Sequence, residues 1–150
     1  MFSNQRKKRT PLQKVKDELE KVSHDYIRRR DSISNEKIAG YCIDCGKYAE
    51  GQHFQAGHFE ASGSCGAILR YHPMNMHGQA SGCNMLRSQE RVKIEYTMRM
   101  IKKYGKARVD KLRQLKNRSI KADIIFHTKL LELYKEGNES KIISFLENYH

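Results

Sequence analysis

Apolar residues recur at alternating steps of three and four near the start of the chain: Leu12, Val15, Leu19, Val22 and Tyr26. That period gathers them on one face of an amphipathic helix. Thr10-Pro11 supplies its start, a hydroxyl to cap and a proline where the missing N–H costs nothing, and the helix should end near Asp31. After a polar break at Ser32–Glu36, the segment Gln52–Glu60 has strand character, Ser62–Gly66 reads as a turn, and Ile68-Leu69-Arg70-Tyr71 reads as a second short strand ended by His72-Pro73. Asn75–Gly82 is then an irregular link, and helix resumes at Cys83 or Asn84. Ile94, Met98 and Ile101 define the face of the helix that follows, with Gly105 as its C-terminal cap. Val109, Leu112 and Leu115 mark another. Ile120, Ile124, Phe126, Leu130, Leu131 and Tyr134 mark a third, stopped by Gly137, and Ile142, Leu146 and Tyr149 a short last one.

At 150 residues this pattern suits a single domain, 1–150. Within it, 1–31 would be a basic tail (Phe2 to Arg9) and helix, 41–104 a cysteine- and histidine-bearing core, and 106–149 a set of C-terminal helices. No run approaches eighteen apolar residues and no apolar stretch follows the basic N-terminus, so neither a membrane span nor a signal peptide is expected, and the protein should be soluble and intracellular. The net charge of +12 points to an anionic polymer. Its distribution sharpens that expectation. Residues 85–121 carry 13 Lys/Arg against 3 Asp/Glu and residues 1–31 carry 10 against 5, whereas 32–84 carry 3 against 4. Two basic arms around a nearly neutral centre suit a protein that grips phosphates on either side of its chemistry; solvated helix faces are the bland alternative. Arg28, Arg29, Arg30, Arg70, Arg87, Arg91 and Lys93 are the candidate DNA contacts, although Arg28–Arg30 also suit a helix C-terminus.

The neutral centre carries the chemistry. Tyr41-Cys42-Ile43-Asp44-Cys45-Gly46-Lys47 is a Cys-x-x-Cys knuckle whose tight turn lets two sulfurs face one zinc ion; a redox pair is the rival, without the strand-to-helix pattern it needs. Gln55-Ala56-Gly57-His58-Phe59 precedes Asn75 by seventeen residues counted from His58, and Cys83-Asn84 with Arg87 follows. This is the order of an HNH site: a strand histidine as general base, an asparagine that orients it, and a residue at the head of a helix that binds one divalent cation. On that reading His58 is the base, Asn75 its orienter and Asn84 a ligand, with Gln55 and His77 as further candidate ligands. Amide oxygens favour Mg²⁺ or Mn²⁺. Each residue has a plainer role open to it: His58 as zinc ligand or core histidine, Asn75 as a turn residue, Asn84 as a helix cap. His53 and His72 read as structural or surface residues and His127 as core.

From about Tyr26 to Tyr134 the chain resembles the phage lambda NinG (Rap) family of recombination nucleases. The resemblance is carried by Tyr26-Ile27-Arg28-Arg29-Arg30, Cys42–Gly46, Ala56–Phe59, Leu69–Tyr71, Asn75–Asn84, Tyr96 and Ile101–Gly105. It implies phage or prophage origin, the cytoplasm of a bacterial host, and a structure-specific endonuclease acting on branched double-stranded DNA such as Holliday junctions and D-loops. Paired incisions leave a homodimer and recombination proteins open as partners. Two positions depart from the family pattern. Gln55 stands where some members have aspartate, and Ala80 stands where the turn has a cysteine. Only Cys42, Cys45 and Cys83 then remain of a four-cysteine zinc site, and Cys65 is the expected fourth ligand, with His77 its rival. The expectation is an α+β fold with a small ββα-metal (HNH-like, His-Me finger) core and zinc knuckle, flanked by an N-terminal amphipathic helix and a helical C-terminal half. Structural zinc and catalytic Mg or Mn are the cofactors. The alternative is a non-catalytic zinc-knuckle DNA-binding or recombination-accessory protein.

Overall fold

The computed structural model describes residues 8–150, so most of the expected basic tail lies outside the described residues. The first helix, α1, spans Pro11–Arg30; the Thr10 side chain accepts a hydrogen bond from the Gln13 N–H, as the Thr-Pro start predicts. Its buried line is Leu19, Ser23 and Ile27, with Val15, Val22 and Tyr26 half-buried beside it. α1 packs along α6 (Ile124–Glu136), whose Phe126, Leu130, Leu131, Leu133 and Tyr134 complete that interface. α6 is capped by Asp123, which accepts from the Ile125 and Phe126 N–H groups, and ends at Gly137 in the left-handed region, φ 75°. The last helix, α7 (Glu139–Asn148), adds Ile142 and Leu146 to the same core.

Two antiparallel pairs of short strands lie on this helical body. β1 (Ala39–Tyr41) and β2 (Tyr48–Glu50) form a hairpin whose link is the Cys42–Lys47 knuckle; Gly46, at φ 73°, donates its N–H to the Cys42 carbonyl at 2.9 Å. β3 (Phe54–His58) pairs with β4 (Met76–Ala80), in register from Phe54 opposite Ala80 to His58 opposite Met76. The short helix α3 (Ser81–Met85) follows β4 directly. The Ile43 N–H donates to the Gly78 carbonyl at 2.9 Å, which docks the knuckle on β4. Phe54 is fully buried, and a Cβ on Gly78 would lie 2.1 Å from its ring, so only glycine fits at that register position. α4 (Glu90–Tyr104) and α5 (Lys106–Gln114) close the body, with Gly105 as the expected break, φ 83°.

Four sequence expectations are corrected by the structure. Ile68–Arg70 is not a strand: with Ala67 it forms the one-turn helix α2 (Ala67–Arg70), because Ile68 and Leu69 are both fully buried at successive positions, which a half-exposed strand cannot arrange. The strand that pairs with β3 is instead Met76–Ala80, inside the segment expected to be irregular, and α3 begins two residues before Cys83. On α4 the buried face is Val92, Tyr96 and Met100, while Ile94 and Met98 are 52% and 65% exposed. Tyr96 sets that rotation, since its hydroxyl donates to the Gly57 carbonyl at 2.9 Å.

Candidate active site and metal centre

The ends of β3 and β4 bring the predicted residues together by different contacts from those expected. His58 is 8% exposed, at the last position of β3, and its Nε2 lies 2.9 Å from the Arg70 carbonyl oxygen. A carbonyl only accepts, so Nε2 carries the proton and Nδ1 keeps the lone pair. Burial pulls the imidazole down to about 4, against an upward pull from that carbonyl, so the ring is neutral at neutral pH with the Nδ1 lone pair unprotonated.

Asn75 does not touch the ring. Its Oδ1 accepts from the Glu60 N–H at 2.8 Å and its Nδ2 donates to the carbonyls of Glu60 and Leu69 at 3.1 and 3.0 Å. It ties the segment after β3 to the end of α2, one residue from the carbonyl that holds His58. Orientation of the His58 ring thus passes through the backbone at Arg70, with Asn75 fixing that backbone.

Asn84, on α3, donates Nδ2 to Gln55 Oε1 at 2.9 Å, and its buried Oδ1 has no hydrogen-bond partner. A buried acceptor without a donor costs about 1–3 kcal/mol; a hard cation is one species that would satisfy it. Asn84 lines a cavity of about 700 Å³ together with His58, Gln55, Arg28 and Arg87. Gln55, committed through Oε1 to Asn84, acts as its support. His77 is placed away from this cavity. Tyr96 spends its proton on Gly57, so it accepts from His77 Nδ1 (3.2 Å), while Nε2 receives the Tyr104 hydroxyl at 2.7 Å. Burial lowers His77 to about 3, and both its nitrogens are in use.

The cavity also holds residues from outside the motif. Lys21, His24 and Asp25 line it from α1 alongside Arg28, and the His24 and His58 rings stand 5.7 Å apart, edge to face. Burial lowers His24 as well. The signal was available: 21, 24, 25 and 28 form a polar stripe at helical spacing next to the apolar one. A second cavity shares His58 and Arg87 and continues to Lys93, Arg113 and Lys116. Glu60 pairs with Arg113 (3.0 Å) and Lys116 (3.4 Å) there.

The three consecutive arginines separate. Arg28 donates to the Phe54 and Gly51 carbonyls at 2.8 and 2.7 Å while lining the cavity; Arg29 is exposed; Arg30 is turned inward onto Asp31, Glu139 and the carbonyls of Pro73 and Met76. Arg70 reaches Glu20 at 3.3 Å. Arg91 lines a different cavity, shared with Cys45 and Cys83.

Cys42, Cys45 and Cys83 bring their sulfurs within 4.8 Å of one another. Cys65 is not brought to this cluster: its sulfur lies 3.8 Å from the Ser62 carbonyl, in the segment after the far end of β3. Burial raises the Cys42 thiol and pushes Cys83 up to about 12, the latter helped by its neighbours. A divalent cation supplies the positive charge that such grouped thiolates need, so the three sulfurs fit structural zinc. Their geometry follows from the docking of the knuckle on β4 and from α3 starting immediately after it.

The family model of the bacteriophage lambda NinG protein matches residues 2–136. The chain belongs to the NinG family. Membership places it among phage recombination-related proteins. No curated protein and no solved structure matches the chain. Among the described residues, no helix is long and apolar enough to cross a membrane.

Proposed function

We propose that this NinG-family chain is a metal-dependent, structure-specific endonuclease that hydrolyses phosphodiester bonds in branched recombination DNA in the cytoplasm of a bacterial host, through an HNH-like ββα site formed by β3, β4 and α3. The observation that carries the reading is that one cationic cavity is lined both by His58, a neutral histidine whose proton is committed to the Arg70 carbonyl, and by Asn84, whose buried amide oxygen has no donor. His58 Nδ1 takes the proton of the attacking water. Mg²⁺ or Mn²⁺, when bound, supplies charge neutralisation at the reacting phosphorus and the leaving 3′ oxygen. Asn84 Oδ1 would hold that ion, with Gln55 keeping the amide turned so that its oxygen stays free. Arg28, Lys21 and Arg87 grip backbone phosphates in the cavity, and Lys93 with Arg113 and Lys116 extends the grip past His58. Glu60 offsets part of the charge on that second side.

A synthetic four-way junction and a linear duplex of the same arms, each incubated with Mg²⁺, Mn²⁺ or EDTA, test this directly. Cleavage of the junction with metal, abolished by EDTA and by His58→Ala, supports the reading. Tight binding without cleavage under every metal condition would leave a DNA-binding accessory protein instead.

A further inference from the structure

A structural zinc tetrahedron needs four ligands, and three sulfurs of this chain are gathered. Ala80, in the family's fourth position, offers only a methyl group. Cys65 lies beyond the opposite end of β3 from the cluster; four strand steps, about 13 Å, separate Phe54 from His58 before the chain even reaches it. His77 has both nitrogens bound to tyrosine hydroxyls. Asp44, between the knuckle cysteines, accepts from Gln79 Nε2 at 3.0 Å, and Glu50 is held by Lys37 at 2.6 Å and Tyr48 at 2.8 Å.

His53 is left. It ends the short 3-10 turn Gly51–His53, and the β3–β4 register carries it there: Phe54 faces Ala80, so the preceding residue stands opposite Ser81, two positions before Cys83. Its Nδ1 lies 3.3 Å from the Ser81 hydroxyl, and its ring shares one cavity with Cys45, Cys83 and Ala80. The imidazole stands outside the 4.8 Å cluster of sulfurs, and its exposed side chain has room to turn about its own torsions, giving up the Ser81 contact as it does so.

We propose that His53 is the fourth protein ligand of the zinc centre, giving a Cys42/Cys45/Cys83/His53 set in which a histidine from the turn that leads into β3 replaces the cysteine absent at position 80. The set is three thiolates and one imidazole, a composition that structural zinc sites use. The site then ties three separate pieces together: the knuckle, the entry to β3 and the start of α3. This assignment is independent of the nuclease reading, since it concerns the metal's ligands and not catalysis.

X-ray absorption on the zinc-loaded, full-length chain reads the ligands without any mutation: three sulfurs and one nitrogen with imidazole scattering are expected. Three sulfurs with a water oxygen, or four sulfurs, overturn the proposal. In competition titrations with a chelator, His53→Ala should weaken zinc binding at least tenfold, while His53→Cys retains tight binding and shifts the Co²⁺-substituted visible spectrum towards that of a four-thiolate site. Cys65→Ser should change neither affinity nor spectrum. Unchanged affinity in His53→Ala, or loss of the metal in Cys65→Ser, refutes the assignment.

Discussion

Arg28, Arg29 and Arg30 are adjacent, identical in charge and, from sequence alone, equal candidates for a phosphate grip; the structure makes them unequal, and a stability measurement separates them. Arg30 makes a two-point contact with Asp31, at 2.7 and 3.1 Å, reaches Glu139 at 3.2 Å, and donates to the carbonyls of Pro73 and Met76 at 3.0 and 2.8 Å. Burial alone would lower its pKa, but the hydrogen bond and charge of Asp31, with Glu139, outweigh that and hold it above the usual value. Asp31 in turn accepts from the Gly78 N–H at 2.7 Å, inside β4. Arg30→Ala therefore leaves the half-buried Asp31 carboxylate without its cation, with only the Gly78 N–H still donating to it, and removes the guanidinium hydrogen bonds from the Pro73 and Met76 carbonyls. Removing one partner of a buried pair costs about 3–5 kcal/mol, which for a chain of this length is a fall in Tm of roughly 6–20 °C. Arg29→Ala, at an exposed side chain, should stay within about 0.5 kcal/mol. Circular dichroism at 222 nm during urea and thermal unfolding measures both, and Arg30→Lys, a point charge that cannot span the same acceptors, should recover only part of the loss. Arg29 and Arg30 variants of equal stability, or an Arg30→Ala loss below 1 kcal/mol, would refute the structural role assigned to Arg30.

Further outcomes follow from the site. His58→Ala should slow single-turnover junction cleavage by roughly 10²–10⁴ while DNA affinity by fluorescence anisotropy is retained; cleavage at the wild-type rate would remove His58 from the mechanism. Because burial places His58 at about 4 in the free protein, the acid limb of kcat/KM should fall near that pH, and a limb near 6.5 would contradict the buried, neutral base. His58 and His72 are lowered to about 4 and His77 to about 3, so the unfolded chain takes up protons first. Their stabilisation should be complete above pH 6.5 and decline as pH falls towards 4, by up to about 1.4 kcal/mol per pH unit for each histidine; equal urea midpoints at pH 7 and pH 5 would count against it. Lys93→Glu with Lys116→Glu should reduce the salt dependence of junction binding by roughly one unit of slope per lost phosphate contact, and an unaltered slope would place the DNA elsewhere.

What was readable in the sequence follows a physical division. The outer helices carried their own signals: Thr10-Pro11 capped α1, Gly105 broke α4 from α5, and Gly137 ended α6, each in the conformation its residue type favours. β4 carried none. Its Met-His-Gly-Gln-Ala stretch is buried on both faces except at Ala80, so the alternation that marks a half-exposed strand is missing, and it contains no β-branched residue. Its polar members sit there because distant residues complete them: Tyr96 and Tyr104 for His77, Asp44 for Gln79, Asp31 for the Gly78 N–H. The face of α4 failed for a related reason. Tyr96 is pulled inward by hydrogen bonds to β3 and β4, and that rotation leaves Ile94 and Met98 outside.

The same division runs through the site. Residue types at motif spacing pointed to His58 and Asn84, which line one cavity, and to the three cysteines that cluster. The residues that hold those atoms in place were legible only partly, since a backbone carbonyl has no sequence signature. Arg70 orients His58 through its carbonyl, so any side chain could stand at 70 for that purpose, and Asn75 acts by tying the backbone there to the end of β3. Asn75→Ala should therefore loosen the segment around Arg70 before it affects the imidazole itself: amide exchange at Glu60, whose N–H the Asn75 side chain receives at 2.8 Å, should quicken together with the loss of cleavage. An Asn75→Ala variant that cuts poorly with Glu60 still protected would mean that the asparagine acts on the substrate and not on the backbone.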